Sequence, residues 1–393
     1  MRTEVVTELN IATSAANIPN LPRVPVDPVA RSCFRGCLLG GAVGDALGAP
    51  VEFMTLSDIR RQFGEAGIQD YAPAYGKLGA ITDDTQMTLF TAEGMLRAYV
   101  CARKSGFAPV FASETARAYL RWLLTQEYQS KALPEEKPSG WLIGHPELFT
   151  RRAPGNTCIS ALRSLKSPGD PAKNDSKGCG GVMRVAPVGM FFASWLGDDR
   201  NEISERAFDT ACELAAITHG HPTGQLTAGV LAAVVALVLK GMPLTEAIEK
   251  AKDQLRTHTS HEETLAAIEC AQRLAQSKPS RTDVLQEMGE GWLAEEALAI
   301  SLYCALSAAD FESGIVLAVN HDGDSDSTGA ITGNLLGALL GVEAIPRRWL
   351  DLVEMRETIQ AMADDLATFP EWKIGEHESS AERAFYWTRF PGG

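Results

Sequence analysis

Two stretches of oxygen-bearing side chains stand out, far apart in the chain. Asp322-Gly323-Asp324-Ser325-Asp326-Ser327-Thr328 places three carboxylates at alternate positions among glycine and hydroxyl residues, and Thr82-Asp83-Asp84-Thr85 sets four oxygen side chains in a row. Carboxylates this close repel one another and raise each other's pKa. A hard divalent cation prefers carboxylate, hydroxyl and carbonyl oxygens, and it relieves that repulsion. Thr82 or Asp83 is also a good helix N-cap, and carboxylates suit a helix N-terminus. Capping needs one oxygen side chain, however, and four consecutive ones exceed that need. The expectation is that the two stretches meet in space around metal.

Two rival readings of the second stretch fail. An EF-hand loop begins D-x-D-x-D but requires Gly at its sixth position and Glu at its twelfth; Ser327 and Gly333 stand there. Asp324-Ser-Asp326-Ser-Thr328 matches a D-x-D-x-T phosphatase, whose chemistry needs a preceding strand and further Lys and Asp motifs downstream. Only 65 residues follow Thr328, and they read as helix.

Other polar residues are weaker candidates. Asp45 interrupts the apolar, glycine-rich run from Gly36 to Gly48 and reads as a structural carboxylate. Glu52, between Val51 and Phe53 just past that run, is the better site candidate. Gly178-Cys179-Gly180-Gly181 lies ahead of a helical stretch, where backbone N–H groups can face an anion; a plain turn fits equally well. His219 and His221 are two apart with no cysteine or carboxylate suitably near, so zinc is disfavoured, and His219 reads as a ligand contact or a capped turn.

The elements that must position these residues are helical. Apolar spacing predicts helices from about Phe34 to Gly48, from Thr82 or Asp83 to about Tyr99, over about 113–126, and from Asn156 onward. Residues 223–240 are apolar on nearly all sides and predict a core helix. Further helices are expected at 243–256, 261–276, 282–289, 292–308, 310–319, 328–340 and 346–367. Alternating patterns are almost absent, so the expected fold is all-α: one large domain over 32–370 with a tail at 371–393. Residues 1–31 differ, with prolines at 19, 22, 25 and 28. That spacing matches the three-residue turn of polyproline II and is read as an extended N-terminal arm; a disordered leader is the plainer alternative.

Composition narrows the function classes. The chain has 393 residues, 45% of them hydrophobic, and a formal net charge of -14. Nucleic-acid binders usually show a basic patch, and no run of Lys or Arg makes one, so nucleic acid is not an expected partner. The apolar run Val230–Leu239 is too short to span a bilayer, so no membrane is expected either. Eight scattered cysteines without paired metal-site spacing predict a reduced, cytoplasmic protein.

Together the motifs resemble the ADP-ribosylglycohydrolase family, which includes ADP-ribosyl-arginine hydrolases and dinitrogenase reductase-activating enzymes. The resemblance spans about 34–367. It is carried by Gly44-Asp-Ala-Leu-Gly-Ala-Pro-Val-Glu52, Thr82-Asp83-Asp84, Gly180-Gly-Val-Met-Arg184-Val-Ala-Pro187, Thr218-His219 and Gly323-Asp324-Ser-Asp326-Ser327. It implies an orthogonal helical bundle with two Mg²⁺ in a central cleft. Thr82, Asp83, Asp84, Asp324, Asp326 and Ser327 are the implied metal ligands. Glu52 would line the cleft, and Gly178, Cys179, Gly180, Gly181 and His219 would contact ADP-ribose. Ser327 stands where the family often has Thr, and Cys179 where it often has Asn.

The implied activity is hydrolysis of ADP-ribose from arginine on modified proteins. Water attacks the anomeric carbon through an oxocarbenium-like state, and Asp83, Asp84 or Glu52 serves as the catalytic carboxylate. A second reading concerns the arm: it could bind and block the opposing ADP-ribosyltransferase, making the protein an immunity factor. A hydrolase of another ADP-ribosyl linkage is the third.

Overall fold

A computed structural model of the chain describes residues 26–133, 138–375 and 378–391. These fold as an all-α structure, as the sequence predicts. The helices are α1 (Pro28–Gly48), α2 (Leu56–Phe63), α3 (Asp83–Ser105), α4 (Phe111–Thr125), α5 (Asn156–Ser164), α6 (Ala186–Trp195), α7 (Arg200–Ala216) and α8 (Pro222–Leu239). They continue with α9 (Leu244–Leu255), α10 (Glu262–Ser277), α11 (Ala294–Ser307), α12 (Phe311–Val319), α13 (Ser325–Leu340), α14 (Arg347–Leu350), α15 (Arg356–Thr368) and α16 (Ser380–Arg389). Among the described residues no strand forms, only the isolated bridges Ala74–Lys77 and Gly178–Leu293.

The organising contact is the antiparallel pair α1 and α13. Gly36, Gly40 and Gly44 on α1 oppose Gly337, Gly333 and Gly329 on α13, four residues apart on each helix, so the bare stripes face each other. A Cβ on Gly333 would lie 2.0 Å from the Gly40 carbonyl oxygen, and one on Gly44 2.0 Å from that of Gly329. The two backbones are therefore in direct contact. Asn334 fixes the register by donating from Nδ2 to the Cys37 carbonyl at 2.8 Å. In this register the C-terminal end of α1 abuts the first turn of α13: a Cβ on Gly48 would meet the Ser325 carbonyl oxygen at 2.3 Å.

Helix α8 is the core element. It is long and apolar enough to cross a membrane on composition alone, yet most of it is buried inside the fold, packed against α6, α7, α9, α11 and α13. All eight cysteines are free thiols.

Four expectations are corrected. The first helix begins at Pro28, ahead of Phe34: the Asp27 side chain accepts from the Ala30 N–H, and proline takes the first turn, where its missing N–H costs nothing. The last proline of the predicted arm therefore belongs to the globule, while residues 1–25 lie outside the described residues. Helix α13 starts at Ser325 instead of 328, because Asp324 caps it. Residues 282–288 form a 3₁₀ turn. The expected helix 346–367 is broken between α14 and α15, with Met355 at φ 54°. The tail, left unplaced by the sequence, packs as α16: Phe385, Tyr386 and Phe390 gather on Trp372, and Arg389 pairs with Asp365 at 2.6 Å.

Candidate metal centre

The two acidic stretches meet. Helices α3 and α13 both begin at the cluster, Thr82 capping the first and Asp324 the second, so both positive helix ends face it. Oxygens of Glu52, Asp324 and Asp326 all lie within 4.8 Å of one another. Asp83, Asp84, Asp324 and Asp326 are each at most 4% exposed.

Burial is the first cause pushing the carboxyl groups upward, and repulsion from Asp326 is the second for Glu52, Asp83, Asp84 and Asp324. Glu52 is pushed up to about 11. Asp326 is itself raised by burial, but hydrogen bonds from Asp324, Thr82 and its neighbours oppose the rise. No cationic side chain figures among the groups acting on these residues. Glu52 Oε2 and Asp84 Oδ1 are buried without a hydrogen-bond partner. Orphaned buried acceptors are rare and expensive. An all-oxygen acceptor set without a counter-charge fits a divalent cation.

Asp45 is structural, as expected. It accepts from the backbone N–H groups of Thr82 (3.0 Å) and Thr85 (3.1 Å) and from the Thr85 hydroxyl. It thereby ties α1 to the start of α3. Asp322 opens the acidic stretch but turns away from the cluster. It accepts from the Leu56 N–H and from Gln286 Nε2, and Gly323 between it and Asp324 stands at φ 111°, which breaks the extended alternation.

Residues 178–181 border the cluster. The Cys179 thiol donates to Asp324 Oδ2 at 2.8 Å, and Ser327 Oγ lies 3.7 Å from its sulfur. The Cys179 backbone N–H is taken by the Trp292 carbonyl at 3.0 Å and so is not open to an anion. Gly180 and Gly181 pack on the His219 ring, whose Cε1 a Cβ on Gly180 would meet at 3.2 Å. His219 is buried, its Nδ1 2.8 Å from the Thr218 hydroxyl. Burial, and then Arg184, push it down to about 3, so the imidazole is neutral.

Several residues of the site carry no sequence signal. Tyr75, at φ 49°, comes close enough to the cluster for its phenol to be raised by burial and then by Glu52 and Asp326. Phe53, at φ 70° and 69% exposed, stacks on Trp292 with centroids 5.3 Å apart. Phe53 and Trp292 help form the entrance: with Glu52, Arg151, Gly155 and Asn156 they line a cleft of about 560 Å³.

Glu354 supports the site from behind. It accepts from Lys77, from both terminal nitrogens of Arg152 and from the Ile81 N–H. Arg152 in turn donates to the Ile81 carbonyl at 2.7 Å. Burial alone would raise the Glu354 carboxyl, but hydrogen bonds from Arg152 and Lys77 hold it below its usual range. Breaking such a buried pair from one side costs about 3–5 kcal/mol. Glu354→Ala is therefore expected to lower stability by about 3 kcal/mol in urea denaturation and to weaken cation binding, because Thr82 follows Ile81. An unchanged midpoint would refute the positioning role.

The family model described as ADP-ribosylglycohydrolase matches residues 27–374. The ADP-ribosyl-[dinitrogen reductase] glycohydrolase of Rhodospirillum rubrum is 26% identical, covering 82% of this chain and 90% of its own length. The ADP-ribosylarginine hydrolase Tri1 of Pseudomonas putida is also 26% identical, covering 84% of this chain and 77% of its own. A solved structure titled ADP-ribosylglycohydrolase-related protein complex superposes with a TM-score of 0.62 at 27% identity, covering 87% of this chain and 99% of its own.

Proposed function

The chain belongs to the ADP-ribosylglycohydrolase family, and from that membership we propose that it hydrolyses the N-glycosidic bond between ADP-ribose and arginine on modified proteins, reversing an ADP-ribosyltransferase. The observation that carries this reading is the convergence of Thr82, Asp83 and Asp84 with Asp324 and Asp326 beside Glu52, which lines the cleft. The likeness to an ADP-ribosylarginine hydrolase favours the arginine linkage.

These five residues and Ser327 would hold two Mg²⁺, which when bound supply electrophilic assistance to the ribose and lower the pKa of water. The protein's own groups do the rest. The carboxylates stabilise positive charge at the anomeric carbon as the bond to the guanidine breaks. Glu52, Asp83 or Asp84 takes the proton from the attacking water and passes it to the departing guanidine, which so leaves as a guanidinium cation into an acidic cleft. Neutral His219, its Nδ1 engaged by Thr218, contributes a hydrogen-bonding edge without adding charge. Phe53 and Trp292 offer an aromatic face for adenine. Trp292→Ala should therefore raise KM about tenfold with kcat nearly unchanged, the signature of lost uniform binding; a fall confined to kcat would contradict that placement.

Cation and pH should act together on stability. Carboxyl groups raised in the fold stabilise it below their unfolded pKa, and that contribution is lost as pH rises through the folded value. For Glu52 the window runs from near 4.5 up to about 11. The cation-free protein should thus lose Tm steadily between about pH 5 and pH 9, and Mg²⁺ should restore it most at the alkaline end. A flat Tm in the presence of chelator would argue against a strained cluster.

The direct test is one assay containing Mg²⁺ and ADP-ribose attached through arginine, through serine or as a small glycoside. Release from arginine is expected. Release from serine alone would overturn the linkage, and release from none would overturn the reading.

A further inference from the structure

Beside the acidic cleft, one patch of the surface carries the opposite charge. In a chain of net charge -14, four exposed cations, Lys131, Arg151, Arg163 and Lys166, cluster beside the cleft entrance. The guanidinium groups of Arg151 and Arg163 both stack on the Tyr128 ring, at 5.2 and 5.1 Å from its centroid. Lys131, Arg163 and Lys166 line a shallow groove of about 650 Å³ together with Ser160 and Ser164. None of the four cations has a carboxylate partner among the described residues. Most other arginines flanking an aromatic ring are paired: Arg152 with Glu354, Arg348 with Asp70 and Glu312, Arg389 with Asp365. Two guanidinium groups held on one ring repel each other unless an anion lies between or beside them.

We propose that this groove docks an acidic segment of the modified protein, next to the ADP-ribosylated residue in its sequence. Arg151 connects the two sites, since it lines the cleft beside Glu52 and shares Tyr128 with Arg163. Carboxylates of the segment would pair with Arg163 and Lys166, while the Ser160 and Ser164 hydroxyls stay turned to the helix carbonyls of Thr157 and Ser160. Arg163 and Lys166 line none of the cleft that Glu52 lines, so the groove reads the protein and not the ADP-ribose. It also gives orientation: a basic groove next to an acidic cleft admits an acidic flank on one side and repels it from the other.

The proposal rests on the hydrolase reading above, and two measurements separate them. The first compares wild type with R163E/K166E on an arginine-modified protein bearing an acidic flank and on free ADP-ribosyl-arginine. The variant should lose about tenfold in kcat/KM on the protein and nothing on the small substrate, and the loss should shrink at high salt. Equal kcat/KM on the protein, or an equal fall on both substrates, would overturn the docking role. The second measures binding of a fluorescent Glu-rich decapeptide by anisotropy, and it is read whether or not either substrate is cleaved. Salt-sensitive binding by wild type and by R163K/K166R, lost in R163E/K166E with unchanged Tm, is the expected result. No binding by wild type would refute the groove even if hydrolysis proceeds.

Discussion

Asp326→Asn is expected to reduce ADP-ribose release by well over a hundredfold while making the cation-free protein more stable. Even partners that only orient metal ligands typically cost about 10–100-fold when replaced, and Asp326 is an implied ligand itself. It is 2% exposed, and its charge is the largest electrostatic burden on Asp83, Asp84, Asp324 and Glu52. Asparagine keeps an oxygen that can accept from the Ser327 N–H, 3.0 Å away in the native chain, so geometry is conserved while charge is lost. Relief of buried repulsion should raise cation-free stability by about 1–3 kcal/mol. Reduced activity with raised stability is a pairing that simple misfolding does not produce. An active variant, or an inactive one that melts earlier than wild type, would contradict Asp326 as the electrostatic centre of the site.

The second large effect is at the glycine contact. Gly333→Val places its first added carbon 2.0 Å from the Gly40 carbonyl oxygen, a backbone atom that cannot swing aside. Overpacking in a core commonly costs about 1–3 kcal/mol and occasionally more; here two helices must separate along their length, so a loss of at least about 3 kcal/mol is expected. Since α1 and α13 deliver Glu52 and Asp326 to the cluster, hydrolysis should fall with stability. Gly333→Ala grades the effect if the valine variant does not fold. Gly197→Ala is the control: a Cβ there meets nothing within 4 Å, and a change within about 0.5 kcal/mol is expected. Similar urea midpoints for Gly333→Ala and Gly197→Ala would show that the backbones can part at little cost.

Much of the centre is legible in the chain itself, for a physical reason. Thr82, Asp83, Asp84, Asp324, Asp326 and Ser327 cap or occupy the first turns of helices, so neighbours in sequence remain neighbours in space and a cluster of oxygen side chains reads as a run of letters. The glycine periodicity of Gly36 to Gly48 is equally visible, although its pairing with Gly329 to Gly337 is not, because register depends on both helices. Tyr75, Phe53, Trp292 and Glu354 escape notice for a related reason: each acts through a loop whose path is set elsewhere. Glu354 shows this best. Residues 346–367 have a continuous helical pattern, yet the chain breaks there so that Glu354 can meet Lys77 and Arg152, with its own N–H donating to the Gly79 carbonyl at 2.9 Å. Tertiary hydrogen bonding overrides local propensity. Asp322 is the converse case, a carboxylate with the right spacing whose hydrogen bonds lie with Leu56 and Gln286.

The partnership of α1 with α13 also sets when the protein can first work. The bare glycine face of α1 must find its mate across the long stretch of chain between Gly44 and Gly329. Contacts between such distant segments form late and slowly. Until then Thr82, Asp83 and Asp84 stand apart from Asp324 and Asp326, and an ion that needs both groups would have nothing firm to hold. Assembly of the acidic cluster is thus tied to the docking of α1 on α13, and a chain without α13 would lack Asp326 and Ser327.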